Sequence, residues 1–478
     1  MDSKPSLLRI LSRAFWLLLV AGLPTVAPAY GQENDFSPRV DAIFRDFDNP
    51  TSPGCALGVV QHGSLVYERG YGSANLDHGI PLTSSSAFYI ASVSKQFAAG
   101  VMALMADQGH ISLDDDVRLY VPELPDYGTP ITIRHMVHHT SGMRDYLGLM
   151  NLAGMRVEDV HSDQDVLNLI VRQRSLNFTP GDEYLYSNSG YFLMSVIVER
   201  VTGKSLRDYA DTYIFGPLGM RNTHFHDDRT MIVPNRAMAY SPVDSNGFRV
   251  NYWANFEKVG SGGLVSTVHD LHLWEQNFQN DRLGSPSLME EMHSRGVLNS
   301  GDTLQYAFGI NMGEYRGLRT VSHGGSSMGF RAHFLRFPDQ EFAVITLCNV
   351  STAVPGILSQ QVADIYLEDH FAEGTEPAQP TASPREDVVV VPMDLAELAS
   401  LAGAYHSPEL LVDYMVEVEE GALWLRRPGA ANTRMLPTGD DLFVSGAHEI
   451  RFLRDHRGRP AGFDLHAGRV RSIHFHRR

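Results

Sequence analysis

The chain has 478 residues, 43% of them hydrophobic and 20% charged, the composition of a folded globular protein rather than a disordered one. Lys and Arg number 39 against 56 Asp and Glu, a formal net charge of −17, so the basic face that a general nucleic-acid binder needs for phosphates is missing. Two cysteines exclude a disulfide-dense scaffold and a cysteine-rich zinc fold.

Residues 1–29 read as a secretory signal peptide. Lys4, Arg9 and Arg13 give a positive start, Ala14 to Leu23 an apolar run, and Ala27-Pro28-Ala29 an A-x-A cleavage pattern. The run is short for a membrane span of about 20 residues. The expected mature chain is therefore periplasmic or secreted, without a stable membrane span.

Ser37-Pro38 followed by apolar periodicity to Phe47 predicts a capped first helix. Strands are expected at 55–61 and 64–71 around a His62-Gly63 turn, then a helix over 92–109 that stops at Gly109. Helical segments follow at 163–173, 188–202, 205–214, 267–278 and 355–368, with strands at 319–323, 328–337 and 341–349 before the last of them. The Pro-rich polar stretch 372–386 opens a linker assigned to 372–392. Beyond Leu401 about eight short alternating runs predict an up-and-down barrel or sandwich. Cys55 and Cys348 lie in strand-like runs and are either two buried thiols or, in an oxidising compartment, a bonded pair.

The chain has four lysines, and one of them, Lys95, stands three residues after Ser92 at the start of a predicted helix. That spacing puts amine and hydroxyl on one helix face, beside N–H groups that favour developing negative charge. A serine needs such a base to become a nucleophile, although Ser92 alone also reads as an N-capping residue. Tyr186-Ser187-Asn188 adds a phenol able to shuttle protons and an amide able to bind a substrate carbonyl or hold the lysine. His323-Gly324-Gly325 ends a strand where a substrate backbone can approach closely, and the N–H of Ser326 can pair with that of Ser92 as an oxyanion hole.

In this order the three elements resemble the serine β-lactamase and penicillin-binding-protein group, in its class C, D,D-peptidase and D-aminopeptidase branch. The resemblance includes Ile90-Ala91-Ser92-Val93-Ser94-Lys95-Gln96-Phe97, His139-Thr140-Ser141-Gly142, Tyr184-Leu185-Tyr186-Ser187-Asn188-Ser189-Gly190-Tyr191 and Gly262-Gly263-Leu264-Val265-Ser266-Thr267, and runs from about 40 to 370. It implies an α+β fold in which a five-stranded antiparallel sheet flanks a helical subdomain across a cleft. It implies Ser92 as the acylated nucleophile, Lys95 and Tyr186 as proton-handling partners, and Asn188, His323, Gly324, Gly325 and Ser326 as substrate-binding residues. It also sets the first strand beside the last, which brings Cys55 near Cys348 and allows a disulfide. His323 departs from the lysine of class C β-lactamases at this motif and, often neutral, shifts the expectation from a β-lactamase towards a peptidase, amidase or esterase. Lys95 is expected to keep Tyr186 partly ionised.

Residues 393–478, opening on Leu401-Ala402-Gly403-Ala404-Tyr405, resemble the lipocalin-like barrel appended to some peptidases of this group. The domains expected are thus a hydrolase domain over 30–371, the linker and the barrel. No cofactor or metal is expected: His224/His226, His269/His272 and His474/His476 lack a clear third ligand. Asp114-Asp115-Asp116 reads as a solvated capping loop, and the basic end from Arg451 to Arg478 as charge on a barrel rim. The expected activity is a peptidase or amidase on small peptides of D-residue or cell-wall type. Carboxylic-ester hydrolysis comes second and β-lactam hydrolysis third. A slow penicillin-binding or scaffold protein is the reading from another class.

Overall fold

Burial patterns separate the two strands of the first hairpin. Strand β1 (Cys55–Gln61) is buried from Cys55 to Val60, whereas β2 (Ser64–Tyr71) alternates exposed with half-buried residues. The first is therefore a central strand and the second an edge facing water on one side. His62 and Gly63, at φ +48° and +74°, make the tight turn between them, because both central positions of such a turn need a left-handed backbone. The computed structural model describes residues 35–377 and 388–478 apart from 157, 244–246, 252–254, 256 and 281. The predicted signal peptide and the middle of the predicted linker lie outside the described residues.

Four further strands complete the sheet: β3 (Asn311–Tyr315), β4 (Leu318–Ser327), β5 (Phe330–Phe337) and β6 (Phe342–Cys348). Their order is β3-β4-β5-β6-β1-β2, antiparallel throughout. The sheet has six strands and not the five expected. The extra edge, Asn-Met-Gly-Glu-Tyr, carries no apolar alternation and forms by pairing with the open edge of β4, a tertiary effect that local propensity does not announce. In the β1/β6 register Cys55 sits directly opposite Cys348, and the two are joined by a disulfide.

Helices cover both faces of the sheet. Ile345 pairs with Gly58, and a Cβ at Gly58 would come within 2.3 Å of Val268 Cγ1. The helix Val268–Asn280 therefore lies on that face. Thr346, one residue on, points the other way, and its Oγ1 is 2.9 Å from Ser359 Oγ on the helix Pro355–Tyr366. The helical subdomain centres on the helix Lys95–Asp107, buried continuously from Lys95 to Met105. An all-round buried helix is the middle of a layer and not its surface.

The C-terminal strands close an eight-stranded barrel spanning residues 403–477. Its interior is filled by Tyr405, Tyr414, Phe443, Phe452, Phe463 and Phe475, all 0–3% exposed. The barrel packs against the helical subdomain. Tyr414 Oη donates to the Leu152 carbonyl at 2.6 Å. Buried Arg144 pairs with Glu409 at 2.8 Å and donates to the carbonyls of Arg471 and Ser472. Residues Ser37–Arg478 accordingly form one compact unit.

Candidate active site

The nucleophile candidate sits on a tight single turn, Ala91–Ser94, that runs straight into the helix beginning at Lys95. Ala91 holds φ at +49°, a conformation costly for a residue with a side chain and kept only where surrounding structure enforces it. Gly325 on β4 is part of that enforcement. A Cβ there would fall 2.2 Å from the Ile90 carbonyl oxygen, so the strand can press against the segment before Ser92 only as glycine. Ser326, the next residue, thereby lines the same cleft as Ser92.

Lys95 is fully buried one turn behind the serine. Its Nζ lies 3.3 Å from Ser92 Oγ, 2.8 Å from Asn188 Oδ1 and 2.5 Å from the Ser261 carbonyl. Asn188 opens the helix Asn188–Thr202, and both its backbone N–H and its Nδ2 donate to Asp145 Oδ2 at 2.8 Å. Burial drives the Lys95 amine well below its ordinary range, and Asp145 opposes this only in part.

Tyr186 lies between these groups and a second aromatic layer. Lys95 Nζ stands 4.7 Å from the centre of its ring, and the His139 ring is 4.1 Å away. Burial pushes the phenol above the ordinary tyrosine range, while Ser92 beside it and Arg469 over its ring pull the other way. Burial therefore works against the expected partial ionisation of Tyr186. Burial disfavours charge on both partners.

His323 on β4 is 5% exposed. Its Nδ1 is 2.6 Å from the Gly324 carbonyl and its Nε2 3.1 Å from Tyr306 Oη. With Nδ1–H donating to the carbonyl, Nε2 accepts from the phenol, and burial lowers the pKa to about 3. His139 is lowered well below its ordinary value, and His333 on the next strand to about 4, both chiefly by burial. The imidazoles around the serine are therefore uncharged at neutral pH.

Ser92, Tyr186, Asn188, His323, Gly324, Gly325 and Ser326 line one cleft of about 810 Å³, with Lys95 immediately behind it. All of the predicted site residues are thus brought together, apart from Cys55 and Cys348, whose disulfide joins β6 to β1 in the same cross-strand row as Ser326 and Arg331 but further across the sheet. Among the described residues no group of three His, Cys, Asp or Glu is arranged to hold a metal.

The family model described as Beta-lactamase matches residues 40–365. The chain belongs to the beta-lactamase family. It is 29% identical over 334 residues to a D-aminopeptidase of Gluconobacter oxydans (strain 621H), a match covering 69% of this chain and 62% of that protein. It is 28% identical over 414 residues to Penicillin-binding protein 4* of Bacillus subtilis (strain 168), covering 82% and 88%. Among solved structures, the octameric penicillin-binding protein homologue from Pyrococcus abyssi superposes with a TM-score of 0.63 at 20% identity, over 92% of this chain and 99% of that one. That likeness concerns the fold, the barrel included.

Within the beta-lactamase frame, three contributors went unassigned in the sequence. Asp145 and Ser261 adjoin segments that carry the resemblance, yet nothing in their spacing reveals that one holds Asn188 and the other receives the lysine. Arg469 is the larger omission. It sits in the turn between the last two barrel strands, Pro460–Ala467 and Val470–Arg477, and lines the cleft. Its Cζ is 5.3 Å from the Tyr186 ring centre and its Nη1 3.4 Å from Asp145 Oδ2. Arg471, two residues on, pairs with Glu183 at 3.0 Å. The basic end of the chain is therefore not only rim charge, because this turn faces the helical subdomain.

Proposed function

We propose that the chain is an exported serine hydrolase that cleaves small peptides or amides, with D-residues favoured, through an acyl-enzyme on Ser92. The observation that carries this is the lysine's set of partners. A neutral amine has two N–H donors and one lone pair. In the unprotonated form that this reading requires, Asn188 Oδ1 and the Ser261 carbonyl take both donors, which leaves the lone pair for the proton of Ser92, whose Oγ lies 3.3 Å from Nζ.

In this reading Ser92 gives its proton to Lys95 as Oγ bonds to the substrate carbonyl carbon. The N–H groups of Ser92 and Ser326 receive the oxyanion. Tyr186 gives its proton to the departing nitrogen as the C–N bond breaks and regains one from the Lys95 ammonium. Water then retraces the path and frees the acid. Asn188 and the β4 edge from His323 to Ser326 hold the substrate backbone, and the chemistry belongs to the domain 30–371. The family's D-aminopeptidase and penicillin-binding relatives support D-peptide substrates. The Cys55–Cys348 disulfide supports an oxidising compartment and hence export.

The test is intact-mass spectrometry of the mature protein over time with a D-alanyl thioester and with a penicillin. A transient adduct on the wild type and none on Ser92→Ala is expected. An adduct that persists in Ser92→Ala would remove the proposal.

A further inference from the structure

The cleft's charge is the opposite of the molecule's. The chain carries a net −17, yet among the described residues lining the cleft there is no Asp or Glu, while Arg331 and Arg469 both face it. The nearest carboxylate, Asp145, is 1% exposed behind the wall. It already receives hydrogen bonds from Asn188 and from the Gly148 N–H. With the nearby imidazoles neutral, the guanidinium groups set the sign of the potential there, and the low-dielectric walls strengthen it. A substrate's free ammonium would meet no counter-charge in this wall.

The Arg469 backbone and side chain make separate contacts with the helical subdomain. The Arg469 carbonyl accepts from Asn177 Nδ2 at 3.0 Å and from the Asp145 N–H at 3.3 Å, and Arg471 N–H donates to Asn177 Oδ1 at 2.8 Å. The side chain is 42% exposed, with one nitrogen towards Asp145 and the guanidinium carbon 5.3 Å from the Tyr186 ring centre, where the residue lines the cleft. Arg331, on β5 opposite Ser326, instead returns a hydrogen bond to the neighbouring Phe330 carbonyl at 2.8 Å.

We infer that Arg469, supplied by the barrel, is a specificity-determining residue that binds a free carboxylate on the leaving-group side of the substrate. The inference rests on the proposed acyl-enzyme reading, in which Tyr186 protonates the departing nitrogen. The carboxylate of a single C-terminal residue lies two bonds from that nitrogen, next to the phenol and so beneath the guanidinium. The planar fork suits a carboxylate, and such a charge-assisted pair is short and strong. The substrate class is then a peptide whose last residue keeps its free acid, and the barrel reads that end.

The experiment measures binding without turnover. Full-length Ser92→Ala is titrated by calorimetry with N-acetyl-D-alanyl-D-alanine and with its C-terminal amide. The acid is expected to bind about tenfold or more tighter than the amide. Adding Arg469→Ala should bring the two within about twofold, and Arg469→Lys, a point charge without the fork, should fall between. Equal binding of acid and amide, a preference that survives Arg469→Ala, an equal weakening of both ligands, or no detectable binding of the acid at millimolar concentration would each overturn the inference. Because Ser92 is absent, a failure of acylation at that residue would leave the result intact.

Discussion

The barrel interior and the cleft are both built from stacked aromatic rings, and they use them to opposite ends. In the barrel, Phe463 lies 4.6 Å from Phe475, 4.9 Å from Tyr405 and 5.6 Å from Phe452. Those rings fill space, and their burial stabilises the module. In the cleft, Tyr186, Tyr191 and Tyr306 surround His139 at 4.1, 5.0 and 4.7 Å, and Lys95 Nζ faces two of these rings. There the same ring chemistry excludes water from an amine and lowers its pKa well below the ordinary value. A hydrophobic layer is a source of stability where the rings pack on one another and a source of reactivity where they enclose an amine.

Substitutions should split along this line. Lys95→Met should lower kcat by about 10³-fold or more while the fold persists, since a general base is worth about 10²–10⁴-fold. Lys95→Arg should not rescue it, because a guanidinium does not lose its proton; steady-state kinetics on a D-aminoacyl amide reads both. Phe463→Ala should cost about 3–5 kcal/mol of stability in urea unfolding, with folded protein keeping its acylation rate at Ser92. Loss of activity in proportion to neither stability nor Ser92 acylation would show the two regions to be coupled.

Removing the disulfide with Cys55→Ala and Cys348→Ala should cost about 2–5 kcal/mol, again without altering the pH profile. Acid should act on the aromatic cage itself. His323 and His333 are held at about 3 and about 4 against an ordinary 6.5. Between those values the unfolded chain binds protons that the folded chain refuses, so their contribution to stability is full above 6.5 and declines as pH falls towards 4. Activity should fail on the acid side too, because protonating Lys95 removes the base. The Lys95 pKa lies well below the usual 10.5, so the acid limb of kcat/KM should move upward in any variant that admits water to the cage. The smallest effect is expected for Tyr306→Phe. It removes one hydrogen bond to His323 and should cost about 1 kcal/mol, visible as a modest fall in thermal midpoint.

Much of the core site was legible because it is local. Ser92 and Lys95 are one helical turn apart, Tyr186 and Asn188 share a segment, and Gly324 to Ser326 follow His323 along one strand, so spacing alone groups each set. Helix and strand positions such as 55–61, 64–71 and 188–202 follow from periodicity and turn residues. The edge strand Asn311–Tyr315 was illegible because its pairing comes from a neighbour and not from its own pattern. The electrostatics of the Lys95–Tyr186 pair were not legible, because proximity of a lysine suggests a cation, whereas burial works against charge on both groups.

The sequence by itself determined the family, the order of the two modules and the candidates for the nucleophile and its partners, since these depend on residues close together in the chain. The tertiary structure alone decided three things. Asp145 and Ser261 set the lysine's hydrogen bonds, burial among aromatic rings lowers its pKa, and Arg469 enters the cleft from 377 residues beyond Ser92. Each depends on distance and burial between segments remote in sequence, and electrostatic strength varies with both.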